Sequence, residues 1–284
     1  MLKKLLPITG YPLDQITADQ IQNLYSYYAE TLKPATIYKI HKLLNAVFKK
    51  AVITRKIIRN PMDAVEAPKV TQDEIVIFTF AELLRIFRVL KRDPRWQKYY
   101  TFYYLLLVTG MRIGELCALE FEDIDFENRE IHVCKTKVGR TGNKFNEPKT
   151  KSGKRYIPVV FPKALQRIRM LRHSDNSVTR VTGLLFRTRL GNALGYNNVR
   201  RDWCMICEEA GVELKHIHAF RHTFATAALA KGIPILEVSR ILGHSNANTT
   251  LKMYGHAMPG FNQRLLADYD RRKEKKTGKV AVAK

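Results

Sequence analysis

The segment HIHAFRHTFAT, residues 216–226, decides how the rest of the chain is interpreted. It places three histidines and one arginine within seven positions. On a helix, His218 and His222 would lie four residues apart, which is the spacing of a pair of zinc ligands. His218 and Arg221, three apart, would also share a face and could instead grip a phosphate. The segment therefore allows either a metal site or an anion site.

The acidic residues that a zinc site would need are missing from this segment. Residues 216–231 contain neither Asp nor Glu. A catalytic zinc ion requires a third ligand and a base, and the neighbouring Arg221 disfavours a dication. The composition therefore favours phosphate over metal.

The charge of the whole chain points to the same chemistry. Its 284 residues include 49 Lys and Arg against 26 Asp and Glu, a formal net charge of +23. A surplus of this size makes a polyanion, and above all nucleic acid, the expected partner. No apolar run reaches 18 residues and no signal sequence follows the opening MLKK, so no membrane partner is expected.

The four cysteines show no disulfide framework, which suits a reducing cytoplasm. Cys204 and Cys207 form a CxxC pair, but they lie in an apolar helical stretch and no second pair completes four ligands. We expect them to be small core residues.

The pattern of apolar residues predicts two domains. Residues 16–30, with Thr17 as a helix cap, and residues 35–56 have helical spacing. The second of these helices has an apolar face, formed by Ile37, Ile40, Leu43, Leu44, Val47 and Phe48. We predict an all-helical domain over residues 1–70, a linker over 71–77, and a larger α+β domain over 78–284.

The larger domain mixes helices and strands. Thr79 and Glu82 fit a capping box, and a buried helix should end at Gly110. A short helix follows, and residues 129–137 and 154–160 are typical of strands separated by a loop. Helices are expected to dominate from residue 161 onward.

Polar residues outside residues 216–226 suggest further site chemistry, although each signal alone is weak. Arg112 and Glu115 could form an ordinary surface ion pair. Alternatively, Glu115 could hold the guanidinium of Arg112 in position to bind phosphate oxygens. Lys151 lies at a Ser-Gly turn. Helix 234–242 should stop at Gly243, which would leave His244 at a turn before a short helix that carries Tyr254.

Together, TGMRIGEL, TKSGKRYIP, HAFRHTFAT and LGHSNANTTLKMYGH resemble, in this order, the four signature boxes of the tyrosine recombinases, the phage-integrase family of site-specific DNA recombinases. The combination of HxxR, LGH and a tyrosine ten positions later is specific. The resemblance implies a mainly α fold with a small β-sheet, in which an all-helical core-binding domain is linked to an α+β catalytic domain.

The resemblance also implies roles for individual residues. Arg112 and Arg221 would clamp the non-bridging oxygens of the scissile phosphate. Tyr254 would attack the phosphorus to give a 3′-phosphotyrosyl link and free a 5′-hydroxyl. His218 would accept the tyrosine proton or hydrogen-bond the phosphate, and His244 would add a further hydrogen bond.

Lys151 would protonate the leaving 5′-oxygen in this family. Lys149 and Lys154 flank it, and its choice rests on the spacing to Pro158. Phosphodiester energy is kept in the covalent link, so neither a metal nor another cofactor is expected.

The resemblance implies integration or excision of a phage or other mobile element. Its partners would be double-stranded DNA core sites, a tetramer of the chain on DNA, and an accessory bending or directionality factor. The setting would be the nucleoid in a bacterial cytoplasm. Family members often carry an N-terminal arm-binding domain, and this chain begins where such a domain would end.

The C-terminal stretch after Tyr254 is expected to be either a helix packed on its own domain or an arm that docks on a neighbouring subunit. The apolar residues of such an arm would be Phe261, Leu265, Leu266 and Tyr269.

Two other classes of protein compete with the recombinase. A metal-dependent nuclease built on the histidines would need a cluster of carboxylates. A non-catalytic, sequence-specific DNA-binding or architectural protein explains the charge equally well, but gives no reason for HxxR followed by a tyrosine.

Overall fold

A computed structural model describes residues 8, 10–70, 74–139, 142–148, 150–173 and 183–254, without the side chains of residues 151, 172 and 173. The chain divides into two compact units, with the boundary between Glu74 and Ile75. The apolar C-terminal face expected around Phe261 lies outside the described residues.

The first unit is built on two helices, α1 (Ala18–Ala29) and α2 (Pro34–Ile53), followed by a 3-10 turn at Pro61–Ala64. The predicted cap is present, because the Thr17 side chain accepts from the backbone of Gln20 and the Gln20 side chain accepts in return.

The core of the first unit uses most of the predicted apolar face of α2. Ile37, Ile40, Leu44 and Phe48 are buried. Val47, which was placed on the same apolar face, is 44% exposed. The helical period places it at the margin of the stripe, beside exposed lysines.

The second unit is mainly helical, as predicted. Its helices are α3 (Phe80–Arg92), α4 (Gln97–Thr109), α5 (Ile113–Cys117), α6 (Pro162–His173), α7 (Tyr196–Glu209), α8 (Ala219–Ala230), α9 (Ile235–Leu242) and α10 (Ala247–Tyr254). The Thr79–Glu82 capping box starts α3, and α4 ends at Gly110 in the left-handed conformation. No helix in the described part of the chain is both long and apolar enough to cross a membrane.

A small antiparallel sheet completes the unit. Its strands are ordered β1 (Ile124–Asp125), β2 (Glu130–Val133) and β5 (Arg155–Pro158), and β3 (Thr136–Lys137) pairs separately with β4 (Phe145–Asn146). The predicted strand 129–137 is therefore two strands. The predicted loop between residues 138 and 153 contains β4 and a 3-10 turn at Lys151–Gly153.

Aromatic packing at the centre of the unit positions α8. Phe78, Tyr103, Trp203 and Phe220 are buried and make mutual ring contacts with centroids 4.7–5.9 Å apart. Phe220 belongs to the segment HIHAFRHTFAT, so this core holds the start of α8 against α4. Cys207 is buried nearby as predicted, whereas Cys204 is only partly buried.

Candidate active site

The C-terminus of α9 collects three arginines from distant parts of the chain. Its last backbone carbonyls, at residues 241–243, have no intrahelical donors and carry partial negative charge. Arg155 Nε donates to the first at 2.5 Å, Arg221 Nη2 to the second at 2.7 Å, and Arg112 Nη2 to the third at 3.4 Å. One helix end thereby fixes three guanidinium groups side by side.

Gly243 makes this arrangement sterically possible. It caps α9 with φ at +69°, a conformation that side chains other than glycine adopt at a cost. A Cβ atom here would lie 2.9 Å from Arg155 Nη1 and 3.0 Å from the carbonyl oxygen of Ser152. The predicted stop at Gly243 is therefore also a close approach of the helix end to the arginines.

Arg221 is an interior residue, with 2% of its surface exposed. Its Nη1 donates to the carbonyl of Gly110 at 2.9 Å, so it ties the end of α4 to the end of α9. Burial and the neighbouring charge of Arg112 lower the pKa of Arg221 to about 9, and the carboxylate of Glu115 offsets only part of this. The site has an unmet preference for negative charge.

Arg112 and Glu115 form the expected pair, with Nη1 2.8 Å from Oε1. The pair is more than a surface contact, because Glu115 is 4% exposed and also accepts the backbone N–H of Arg112 at 2.9 Å. The Arg112 side chain remains 41% exposed and is available to a ligand.

Arg155 was missed by the sequence analysis, which treated it as an ordinary strand residue. Its Nη2 lies 2.9 Å from Glu115 Oε2, and the two side chains are 6% and 4% exposed. Burial opposes ionisation of Glu115, but the hydrogen bond and charge of Arg155 outweigh it and hold the pKa of Glu115 below its usual range. The alternation of β5 could have revealed this residue, because Arg155 and Ile157 share the buried face.

His218 and His244 lie in the field of these arginines. Burial by the surrounding protein, together with the charges of Arg221 and Arg112, lowers the pKa of each imidazole to about 4. His218 is exposed, whereas His244 is half-buried with Nδ1 2.8 Å from the Thr250 hydroxyl. Both rings are therefore neutral at pH 7 and can donate one N–H each.

Tyr254 is buried, with 1% of its surface exposed. Its hydroxyl lies 2.7 Å from Nδ1 of His222, the residue next to Arg221 on α8. Burial raises the pKa of Tyr254 to about 12, although the charge of Arg221 acts in the opposite direction. His216, by contrast, is exposed.

The position predicted for the lysine is only partly described. Lys151 starts a 3-10 turn whose Gly153 carbonyl accepts from Arg155 Nη1 at 3.2 Å, but its side chain is outside the description, as is all of Lys149. Lys154 is engaged elsewhere, because its Nζ lies 2.9 Å from Glu147 on the surface.

These contacts describe an anion site. The site holds three guanidinium groups and one buried carboxylate, which bonds Arg112 and Arg155, so its described residues carry an excess of positive charge. Phosphate oxygens would supply the missing negative charge through charge-assisted hydrogen bonds.

Among the residues that the structure describes, one set of three has ligand atoms close enough for a metal: Asp123, His132 and Cys134, all within 4.8 Å. It lies apart from the segment HIHAFRHTFAT, and its charges have partners. The Asp123 carboxylate accepts the Glu120 N–H at 2.8 Å and the Cys134 thiol at 3.4 Å, and Lys135 Nζ lies 3.8 Å away. We interpret this set as polar residues whose hydrogen bonds stabilise the sheet.

Comparison with known proteins identifies the family. The model of the phage integrase family matches residues 77–259. A tyrosine recombinase XerC-like protein of Caldanaerobacter subterraneus subsp. tengcongensis is 30% identical over 278 residues, covering 88% of this chain and 70% of the relative. The transposase of transposon Tn916 from Enterococcus faecalis is also 30% identical, over 78% of this chain and 58% of the relative. The chain therefore spans little more than half the length of that transposase.

Solved structures agree in fold. The integrase of transposon Tn1549 in complex with a circular intermediate DNA superimposes with a TM-score of 0.79 at 26% identity, covering 92% of this chain and 86% of that one. A lambda integrase dimer bound to a core site has a TM-score of 0.66 at 21% identity and shows the fold alone. The chain belongs to the phage integrase family of tyrosine recombinases, whose members are site-specific DNA recombinases.

Proposed function

We propose that this protein is the site-specific recombinase of a mobile element, and that it cuts and rejoins DNA through a 3′-phosphotyrosyl link to Tyr254. One observation carries the proposal. Residues from distant segments, Arg112, Arg221, His218 and His244, border one site. The hydroxyl of Tyr254 bonds His222, the residue that follows Arg221 in the chain. A non-catalytic DNA-binding protein would have no use for this convergence.

In this proposal the arginines bind the scissile phosphate. The half-exposed Arg112 meets one non-bridging oxygen, and the buried Arg221 adds a charge that is already fixed by two carbonyls. Groups held in place before the reaction stabilise developing charge without reorganising, which is the largest single contribution in many enzymes. The lowered pKa of Arg221 supports an anion as the missing partner.

The neutral histidines orient the phosphate. His218, which is exposed, and His244, whose Nδ1 is taken by Thr250, would each offer a hydrogen bond to a phosphate oxygen. Lys151 is proposed as the donor to the leaving 5′-oxygen. The surface ion pair of Lys154 with Glu147 supports that choice over Lys154.

The proposed substrate is a double-stranded core recombination site in the bacterial nucleoid. The first unit, with its lysine-rich helix α2, would hold the duplex as a core-binding domain, and the unit from Ile75 onward would carry out catalysis. Four protomers would assemble on two duplexes, with an accessory bending or directionality factor. The Tn1549 integrase with circular intermediate DNA supports a DNA junction as substrate.

Trapping the covalent intermediate tests the proposal. The protein is incubated in EDTA with nicked duplexes that span candidate element junctions, and the adduct is mapped by mass spectrometry. We expect a covalent adduct at one defined site, attached to Tyr254, and none with Tyr254→Phe. An adduct that persists in Tyr254→Phe, or cleavage that needs a divalent metal, would contradict the proposed chemistry.

A further inference from the structure

Among the described residues, the hydroxyl of the proposed nucleophile has one polar partner, a residue to which the family resemblance assigned no role. The Tyr254 ring packs in an apolar cluster that includes Ala225, Val238 and Leu242, and only its hydroxyl reaches a polar atom. That atom is Nδ1 of His222, at 2.7 Å. The rings are tilted by 55° with centroids 5.8 Å apart, so the contact is made through the hydroxyl rather than by stacking.

The surroundings of His222 favour an imidazole that can accept a proton. The ring is half-buried on α8, beside the cation of Arg221. It lies edge-on to the ring of His218, with centroids 4.8 Å apart. Tyr254 on α10 and His244 are further ionisable groups near it. Burial and the charge of Arg221 lower the pKa of His222 below its ordinary value. At pH 7 the ring is therefore neutral, and one nitrogen carries a free lone pair.

The hydroxyl needs such a partner. With its pKa near 12, only about one Tyr254 side chain in 10⁵ would be ionised at pH 7. The family resemblance left His218 with two roles, but burial and neighbouring charges lower the pKa of His218 to about 4, which makes it a poor base. The described hydrogen bond of the hydroxyl goes to His222.

We infer that His222 is a catalytic residue that accepts the proton of Tyr254 during strand cleavage, which leaves His218 to hydrogen-bond the phosphate. The inference rests on the proposed function. Its basis is the contact of His222 with a reacting atom, since the carboxylate described in the site, that of Glu115, is already held by Arg112 and Arg155.

The step balances without a further reactant. The Tyr254 oxygen forms a bond to phosphorus as the bond from phosphorus to the 5′-oxygen breaks. The hydroxyl proton moves to Nδ1 of His222, and the 5′-oxygen takes a proton from Lys151. In rejoining, the 5′-hydroxyl gives its proton to the neutral amine of Lys151 and its oxygen attacks phosphorus. The phosphotyrosyl bond breaks, and the imidazolium of His222 returns its proton to Tyr254.

Single-turnover adduct formation on the nicked duplex tests His222→Gln against a matched control, His216→Gln, which changes an exposed histidine two residues before His218. Glutamine can still hydrogen-bond the hydroxyl but cannot take its proton. We expect the rate to fall by about 10²-fold or more, as for loss of a general base, with the control unchanged.

The pH profile separates proton transfer from positioning. Wild-type cleavage should slow at an acidic pH that lies below the ordinary histidine pKa of about 6.5, because burial and Arg221 lower the pKa of His222 and its protonated form cannot accept a proton. This acid limb should vanish in His222→Gln, and imidazole added to His222→Ala should restore part of the rate. A thermal melt of each variant checks that it is folded.

Two results would overturn the inference while leaving the proposed function intact. One is an acid limb that is absent from the wild type or persists in His222→Gln. The other is a His222→Ala variant that cleaves as fast as the wild type or faster. That result would mean that the hydrogen bond from Tyr254 to His222 holds the tyrosine in an inactive position. A wild-type protein that binds the duplex but forms no adduct would instead remove the proposed function, and this inference with it.

Discussion

Arg155 and Glu115 form an ion pair with both side chains almost fully buried, Nη2 lying 2.9 Å from Oε2. The same carboxylate also holds Arg112, whose side chain is 41% exposed. One buried acid thus orients two guanidinium groups, one facing the protein and one available to a phosphate. Because Arg155 also bonds the end of α9, the strand, the helix end and the site share one hydrogen-bond network.

Replacing Arg155 with Met should destabilise the protein strongly. Removing one partner of a buried ion pair leaves the other uncompensated, which costs about 3–5 kcal/mol. In a unit of this size we expect the melting temperature to fall by on the order of 10 °C, measured by differential scanning calorimetry. Adduct formation should also fall at temperatures where the variant is folded, since Arg112 loses part of its support.

The neighbouring residue supplies the control for Arg155. Lys154→Met breaks the exposed pair with Glu147, which should cost less than about 1 kcal/mol. If Arg155→Met and Lys154→Met lose the same free energy of unfolding, the buried ion pair of Arg155 stabilises the protein no more than an exposed pair does.

Gly243→Ala should disturb the site as well as the backbone. Beyond the cost of φ at +69°, about 1–2 kcal/mol, its Cβ would press on Arg155 and on the Ser152 carbonyl. We expect lower stability and a cleavage rate reduced by more than tenfold, measured by melting and by single-turnover adduct formation.

Gly232→Ala is the control that separates the cost of a positive φ from the displacement of Arg155 by an added Cβ. Gly232 has φ at +83°, but its added Cβ would meet nothing within 4 Å. It should lose stability by a similar backbone cost while keeping its cleavage rate. If both variants cleave at the wild-type rate, the close approach at Gly243 does not position the arginines.

Stability should depend on pH through His244. Burial and nearby arginines lower the pKa of its folded form to about 4, against 6.5 in the unfolded chain. Above pH 6.5 both states are neutral and the stability is complete. As the pH falls from 6.5 to about 4, the unfolded state takes up the proton first, and on the order of 1 kcal/mol should be lost after allowance for partial exposure.

Chemical denaturation at pH 7.5 and pH 5 measures this effect. His244→Gln should lose less stability between the two pH values than the wild type, because glutamine does not titrate. His216→Gln, at an exposed position, should behave like the wild type. A wild-type and a His244→Gln protein with the same pH dependence would contradict the assignment.

Much of the architecture was predictable from local signals. The capping boxes at Thr17 and Thr79 and the glycines that end α4 and α9 act within one helical turn, so the sequence alone could locate them. Periodicity also placed most of the core of α2. Periodicity could not decide that Val47 is exposed, because the burial of a residue at the edge of a helical stripe depends on what packs against it.

The sequence by itself determined the helical framework, the charge surplus and the residue types at the candidate positions, because spacing and composition are properties of the chain. Only the tertiary structure decided their partners. Glu115 and Arg155 are 40 positions apart, His222 and Tyr254 are 32 apart, and the carbonyls at residues 241–243 receive arginines from three segments. From HIHAFRHTFAT, the sequence singled out His218 with Arg221, and only the packing of α10 against α8 sets His222 beside the tyrosine.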